Sequence, residues 1–146
     1  MIPIIGIDPG ATGAIGIIED DHARVIKLPT DPAGYLEVMR ALPKPARVWV
    51  EQVNSWPGDS PVTAFSFGRS LGKLETALAA AGFAFKSVVP QKWQMRMDLS
   101  RVPVRKDRKR YHRDLAKRLY PDCKGLTLAT SDALLIARYG FEMGWV

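Results

Sequence analysis

Cysteine and histidine are scarce in this chain of 146 residues: Cys123 stands alone, and His22 and His112 are the two histidines. One cysteine excludes an intrachain disulfide framework and any cysteine-rich zinc site, and the His/Cys spacing forms no zinc pattern. Long hydrophobic runs are lacking as well. Nowhere do ~18 apolar residues follow one another, and the opening residues lack a basic region followed by a long apolar stretch, so neither membrane insertion nor export is expected. A reducing intracellular compartment fits, the cytoplasm first, with an organellar matrix left open. Acids are the third shortage: 15 Asp and Glu face 21 Lys and Arg, a formal net charge of +6.

The charge surplus is concentrated. From Lys92 to Arg118 only Asp98, Asp107 and Asp114 offset a run of Lys and Arg interleaved with Trp93, Tyr111 and His112. Three acids cannot neutralise that segment through i,i+4 pairs, so it is expected to meet a polyanion. Phosphate contact is expected of Lys92, Arg105, Lys106, Arg108, Lys109, Arg110 and Arg113. His112 is expected at the surface.

What the chain has instead of soft metal ligands is a carboxylate at the end of an apolar strand. Ile4, Ile5 and Ile7 are β-branched and suit a buried strand, Asp8 follows, and Pro9-Gly10 with Gly13 supplies turn conformations before a second apolar run, Ala14 to Ile18. Asp8 either caps its own turn or is paired by something else, a divalent cation being one good partner. Arg24 to Leu28 continues the sheet as a third strand of an antiparallel meander, and a short helix is expected around Tyr35 to Leu42. Arg47 to Val53 reads as a central strand carrying a second acid, Glu51, at its tip.

The remaining chain alternates helices with one more strand. Asn54 to Pro61 is a Pro-, Gly- and Ser-rich loop bearing Trp56, which either docks on the core or stays available to a base or partner. From Val62 to Ala81, Phe65, Leu71, Leu74, Leu78 and Ala81 share one helical face, Gly82 suits the C-terminus, and Gly68, Ser70 and Gly72 permit close approach of another element or subunit. Phe83 to Pro90 is a strand. Tyr111, Leu115 and Leu119 turn the basic helix's inner face to the core, and Pro121 ends it. An apolar helix follows with Thr130 or Ser131 as its cap and Asp132 in its first turn, where the helix dipole favours an acid. The length suits one domain over residues 1–146.

In this order the elements resemble the RNase H-like nuclease superfamily, and within it the RuvC-type Holliday-junction resolvases, especially small phage and prophage members. The resemblance rests on Gly6-Ile7-Asp8-Pro9-Gly10 with Thr12-Gly13, on Val50-Glu51-Gln52, on the Gly-spaced Phe67-Gly68-Arg69-Ser70-Leu71-Gly72, and on Ser131-Asp132-Ala133-Leu134-Leu135-Ile136-Ala137. It implies an α/β, RNase H-like fold with a mixed five-stranded sheet flanked by helices. Asp8, Glu51 and Asp132 would converge at one end of that sheet and bind a pair of Mg²⁺ ions, Mn²⁺ substituting. Lys109 is the best match to a catalytic-site lysine and Lys92 a weaker one. In one respect the chain departs from the pattern: no acid lies in Leu126 to Ser131, where the family commonly carries a further carboxylate. Water, a substrate phosphate oxygen or a backbone carbonyl would then complete the metal shell.

The implied activity is a metal-dependent endonuclease that resolves four-way DNA junctions by paired symmetric nicks, leaving 5′-phosphate and 3′-hydroxyl ends. A homodimer suits a two-fold substrate, with the helix from Val62 to Ala81 at its interface and Trp56 stacking at the branch point. Rival readings are a less selective flap or branched-DNA endonuclease and a junction-binding protein whose nuclease site has decayed. An actin-like ATPase with a phosphate loop at Asp8 to Gly13 needs a second lobe, for which 146 residues are too few.

Overall fold

The computed structural model describes residues 1–101 and 105–145. Strands β1 (Ile4–Asp8), β2 (Ala14–Glu19) and β3 (His22–Lys27) form the expected antiparallel meander, and β4 (Arg47–Glu51) and β5 (Phe85–Val88) add to it in parallel beside β1. The sheet is therefore mixed and five-stranded, ordered β3-β2-β1-β4-β5. Helices α1 (Pro32–Ala41), α2 (Pro61–Ala80), α3 (Pro90–Arg96), α4 (Arg105–Leu119) and α5 (Ser131–Met143) cover its two faces.

Strand periodicity assigns those faces. Ile5, Ile7, Ile15, Ile17, Val48 and Val50 point to one side and pack with Tyr35 and Met39 of α1 and Leu74, Ala77 and Leu78 of α2. Ile4, Ile18, Trp49 and Val88 point to the other, toward Trp93 of α3, Ala116 of α4 and Leu134 to Ala137 of α5. Because side chains alternate, Asp8 shares its side with Ile4 and Gly6, and Glu51 shares its side with Trp49. Both acids thus end on the α5 face.

A paired notch brings α5 onto that face. Gly6 and Gly16 are register partners across β1 and β2. A Cβ on Gly6 would stand 2.2 Å from the Ala137 backbone nitrogen, and one on Gly16 would stand 2.5 Å from the Leu134 Cα. Only glycine lets the helix axis come this near, and Asp132 rides on the helix so placed.

Several boundaries differ from the sequence expectations for local reasons. The first helix starts earlier because the Asp31 carboxylate accepts the Gly34 N–H at 3.1 Å and Pro32 occupies its first turn. Pro90, expected to end a strand, instead opens α3, where its missing N–H costs no hydrogen bond. Phe65 is not on a buried face of α2: it is 72% exposed, as is Val62 at 79%, while Leu74 and Leu78 are buried. The shorter α1 packs on α2, whose buried residues all lie toward its C-terminus. Tyr111 likewise faces out, and His112 and Ala116 take the buried positions on α4.

Candidate active site

Asp8 ends β1 and Glu51 ends β4, adjacent parallel strands whose register runs through Ile7 and Val50. Asp132 enters from the first turn of α5, and Lys109 and His112 reach in from α4. Four separate elements thereby converge at the carboxyl end of β1 and β4. The Lys109 Nζ donates to Asp132 Oδ2 and lies 4.0 Å from Asp8 Oδ2. The Gly10 N–H donates to Asp8 Oδ1 at 3.3 Å, the Asx turn open to Asp8 from sequence.

Two buried side chains stand behind the acids. The indole N–H of Trp93 donates to Glu51 Oε2 at 2.7 Å. His112 Nδ1 lies 2.8 Å from Asp132 Oδ1. An ionised Asp132 has no proton to give, so this geometry puts a proton on Nδ1, while Nε2 is buried and, among the described residues, without a hydrogen-bond partner. The Trp93 and His112 rings meet edge to face with centroids 5.2 Å apart. His112, expected at the surface, is 2% exposed, and Trp93 is fully buried rather than available to DNA. The dense charge around them hides their packing role in the sequence.

The electrostatics are those of an under-neutralised acidic cluster. Burial pushes the Glu51 carboxyl up to about 7, the Asp8 charge adding to the rise, while the Trp93 N–H pulls the other way. Asp8 is also raised, chiefly by burial, with Lys109 opposing and Asp132 reinforcing. Asp132 behaves oppositely: burial would raise it, yet the His112 hydrogen bond and the Lys109 charge together hold it below the usual carboxylate range. Burial would lower Lys109, but the charges of Asp132, Asp8 and Glu51 raise it.

Among the described residues no three Asp, Glu, His or Cys side chains are already drawn into a closed metal cage. The chemistry of the cluster nevertheless suits hard cations: every carboxylate donor is oxygen, and one ammonium faces three acids, two of them raised. Lys109 is half exposed, on a long flexible stem. Leu126 to Ser131, running into α5, offers no acid, and its hydroxyls are engaged locally: Thr130 Oγ1 donates to the Gly125 carbonyl at 2.7 Å and Ser131 Oγ to the Thr127 carbonyl at 2.6 Å.

The other residues singled out in the sequence lie further out. Trp56 is 67% exposed in the loop before α2, where its backbone N–H donates to Asp59 Oδ2 at 2.8 Å. Lys92 is exposed on α3, and Lys106 and Arg110 are exposed on α4. Arg108 is half-buried there, and Arg113 is half-buried and pairs with Asp114 at 3.2 Å. The Arg105 side chain lies outside the described residues. Among the described residues, no helix is long and apolar enough to cross a membrane.

The strand order and flanking helices define an α/β, RNase H-like fold of the RuvC type. Among solved structures the chain is similar to that described as "T. thermophilus RuvC in complex with Holliday junction substrate", with a TM-score of 0.69 and 22% identity over 99% of this chain and 97% of that one. A second structure of Thermus thermophilus RuvC gives a TM-score of 0.67 and 22% identity over 98% of this chain and 97% of the other. No protein-family model matches the chain, and no curated protein matches it by sequence.

Proposed function

We propose that this chain is a divalent-metal-dependent, structure-selective endonuclease that resolves four-way DNA junctions by paired symmetric nicks. The observation that carries the reading is the convergence of Asp8, Glu51 and Asp132 with Lys109 at one sheet end, in a fold shared with a protein described in complex with a Holliday junction. Asp8, Glu51 and Asp132 would hold a pair of Mg²⁺ ions, with Mn²⁺ as a substitute. Such a pair supplies an activated water and stabilises the departing 3′ oxygen. Lys109, released from the carboxylates, carries its ammonium to a phosphate oxygen. The exposed cations of α3 and α4 would track the backbone of the incoming strands.

A homodimer belongs to the same reading. Val62 and Phe65 leave an apolar surface on the first half of α2, and a Cβ on Gly68 or Gly72 would meet nothing within 4 Å among the described residues. Those positions are free for a second copy, which would bring two sites to the two strands of a symmetric junction. Trp56, exposed beside them, is placed in this reading at the branch point. A decayed junction-binding protein is the second reading, favoured by the ammonium already seated against Asp132 and the absence of an acid from residues 126–131.

Cleavage of an end-labelled mobile four-way junction, against matched duplex, flap and single strand, tests both. Paired symmetric nicks in the junction alone, abolished by EDTA and by Asp8→Asn, are expected. Tight binding without cutting in Mg²⁺ or Mn²⁺ would establish the decayed binder, and equal cutting of flaps and junctions would make the chain a general branched-DNA nuclease.

A further inference from the structure

The structure assigns Trp93 and His112 a joint role as positioning residues: a buried aromatic brace that fixes Glu51 and Asp132 relative to each other from behind. This rests on the metal-dependent reading above and adds to it two residues that touch neither DNA nor a reacting atom. The contacts form one unbroken line. Glu51 Oε2 accepts from the Trp93 indole at 2.7 Å, the indole meets the His112 ring at 5.2 Å between centroids, and His112 Nδ1 pairs with Asp132 Oδ1 at 2.8 Å.

Both ends of the line matter because the two acids come from unrelated elements. Glu51 is the last residue of a strand and Asp132 sits in the first turn of a helix, so backbone hydrogen bonding within either element does not set their separation. Trp93 and His112 are 0% and 2% exposed, and packing locks their rotamers. Each engages one oxygen of its carboxylate and thereby fixes how the other oxygen is presented. An N–H donor behind a carboxylate also keeps it ordered when no cation is bound, which reduces what binding must organise. Outer partners of this kind are worth ~10–100-fold in metal affinity or activity.

The chemistry distinguishes the brace from simple packing. Trp93→Phe keeps an aromatic ring and removes the N–H. His112→Asn can retain a donor near Nδ1, whereas His112→Leu fills the space without one. The test measures Mn²⁺ binding to the full chain by electron paramagnetic resonance, the Mg²⁺ concentration that half-saturates junction cleavage, and thermal melting to certify folding. Trp93→Phe and His112→Leu are expected to weaken Mn²⁺ binding and raise the half-saturating Mg²⁺ by ~10-fold or more. At saturating Mg²⁺ their cleavage rate should recover most of its loss, and His112→Asn should lie nearer the wild type than His112→Leu. The double variant should lose less than the product of the single effects, since the residues touch.

Folded variants that bind Mn²⁺ as tightly as the wild type, with unchanged half-saturation, would overturn the brace and leave the nuclease reading intact. A wild-type chain that binds no Mn²⁺ and cuts no junction would overturn that reading and the brace with it. Should Trp93→Phe fail to fold, the two His112 variants decide alone: equal metal affinity in His112→Asn and His112→Leu refutes the role assigned to the donor.

Discussion

A single methyl group on Gly6 should separate α5 from the sheet. The Cβ of a Gly6→Ala variant would lie 2.2 Å from the Ala137 nitrogen and 2.3 Å from the Ala133 carbonyl oxygen, both backbone atoms that no rotamer change can move. Restoring a 3.4 Å contact from 2.2 Å requires the helix to retreat by about 1.2 Å. Overpacking of this kind costs about 1–3 kcal/mol, and the gain of about 0.5–1 kcal/mol from replacing a strand glycine offsets only part of it. The contacts are with rigid backbone on two sides, which places the net loss at about 2 kcal/mol. With about 2.1 cal/mol/K of unfolding entropy per residue, 146 residues lose about 3 °C of Tm per kcal/mol, so the melting midpoint should fall by about 7 °C. Gly72→Ala is the matched control for the single chain: its Cβ meets nothing within 4 Å among the described residues, it sits inside α2, and at a concentration too low for a second copy to pair on α2 helix propensity alone should raise Tm by about 2–3 °C. Calorimetry of the two variants reads the opposite signs directly. Because Asp132 travels with α5, Gly6→Ala should also slow junction cleavage by ~10²-fold below its melting range, the scale of a 1 Å misplacement. A Gly6→Ala chain that melts at or above the wild-type temperature would refute the close approach and the positioning of Asp132 derived from it.

Lys109→Met removes the ammonium from Asp132 and Asp8. Mn²⁺ should then bind severalfold more tightly while cleavage at saturating metal collapses, and weaker Mn²⁺ binding would contradict the counter-ion role. Stability without metal should depend on pH with a defined sign. Glu51, raised to about 7, keeps a proton in the fold that the unfolded chain gives up near 4.5, so in EDTA stability falls as pH rises through this window, by on the order of 1 kcal/mol per pH unit. Asp8, also raised, acts in the same direction, whereas Asp132, held low, contributes stability that is lost as pH falls through its folded pKa. Melting curves from pH 5 to 8 should show the decline in the wild type and a shallower one in Glu51→Gln, and saturating Mg²⁺, which favours the ionised acids, should oppose it. Trp56→Ala should leave Tm unchanged, since the side chain is 67% exposed, and should weaken junction binding; normal binding and cutting would remove Trp56 from the interface.

The strands and their acids were legible because runs of β-branched and apolar residues mark a buried strand and an acid at the end of such a run stands out. Ile4 to Ile7 and Val48 to Val50 are buried on both faces as continuous runs, and the alternation of side-chain direction places Asp8 and Glu51 on one face. The register and the side taken by α5 were less legible, since Gly6 and Gly16 act by lacking side chains and reveal themselves as a pair only once the strands are aligned. The brace was hidden for a different reason. The basic helix offers two seams, Tyr111-Leu115-Leu119 and His112-Ala116-Leu119, and hydrophobicity alone favours the first. The fold buries His112 and Ala116 instead, because a small residue admits α5 and a histidine can satisfy the buried Asp132 at its start. A tyrosine can keep its hydroxyl wet at the margin, whereas without His112 the buried Oδ1 of Asp132 would lose its donor and leave Lys109 to serve Oδ2 alone. Polar satisfaction therefore overrides apolar patterning at the point where α4 meets the acids. The exposed first half of α2 follows from length: ten-residue α1 is about 15 Å long and cannot cover twenty-residue α2, about 30 Å long. The same reach that leaves Phe65 uncovered in one chain is what a second copy would use.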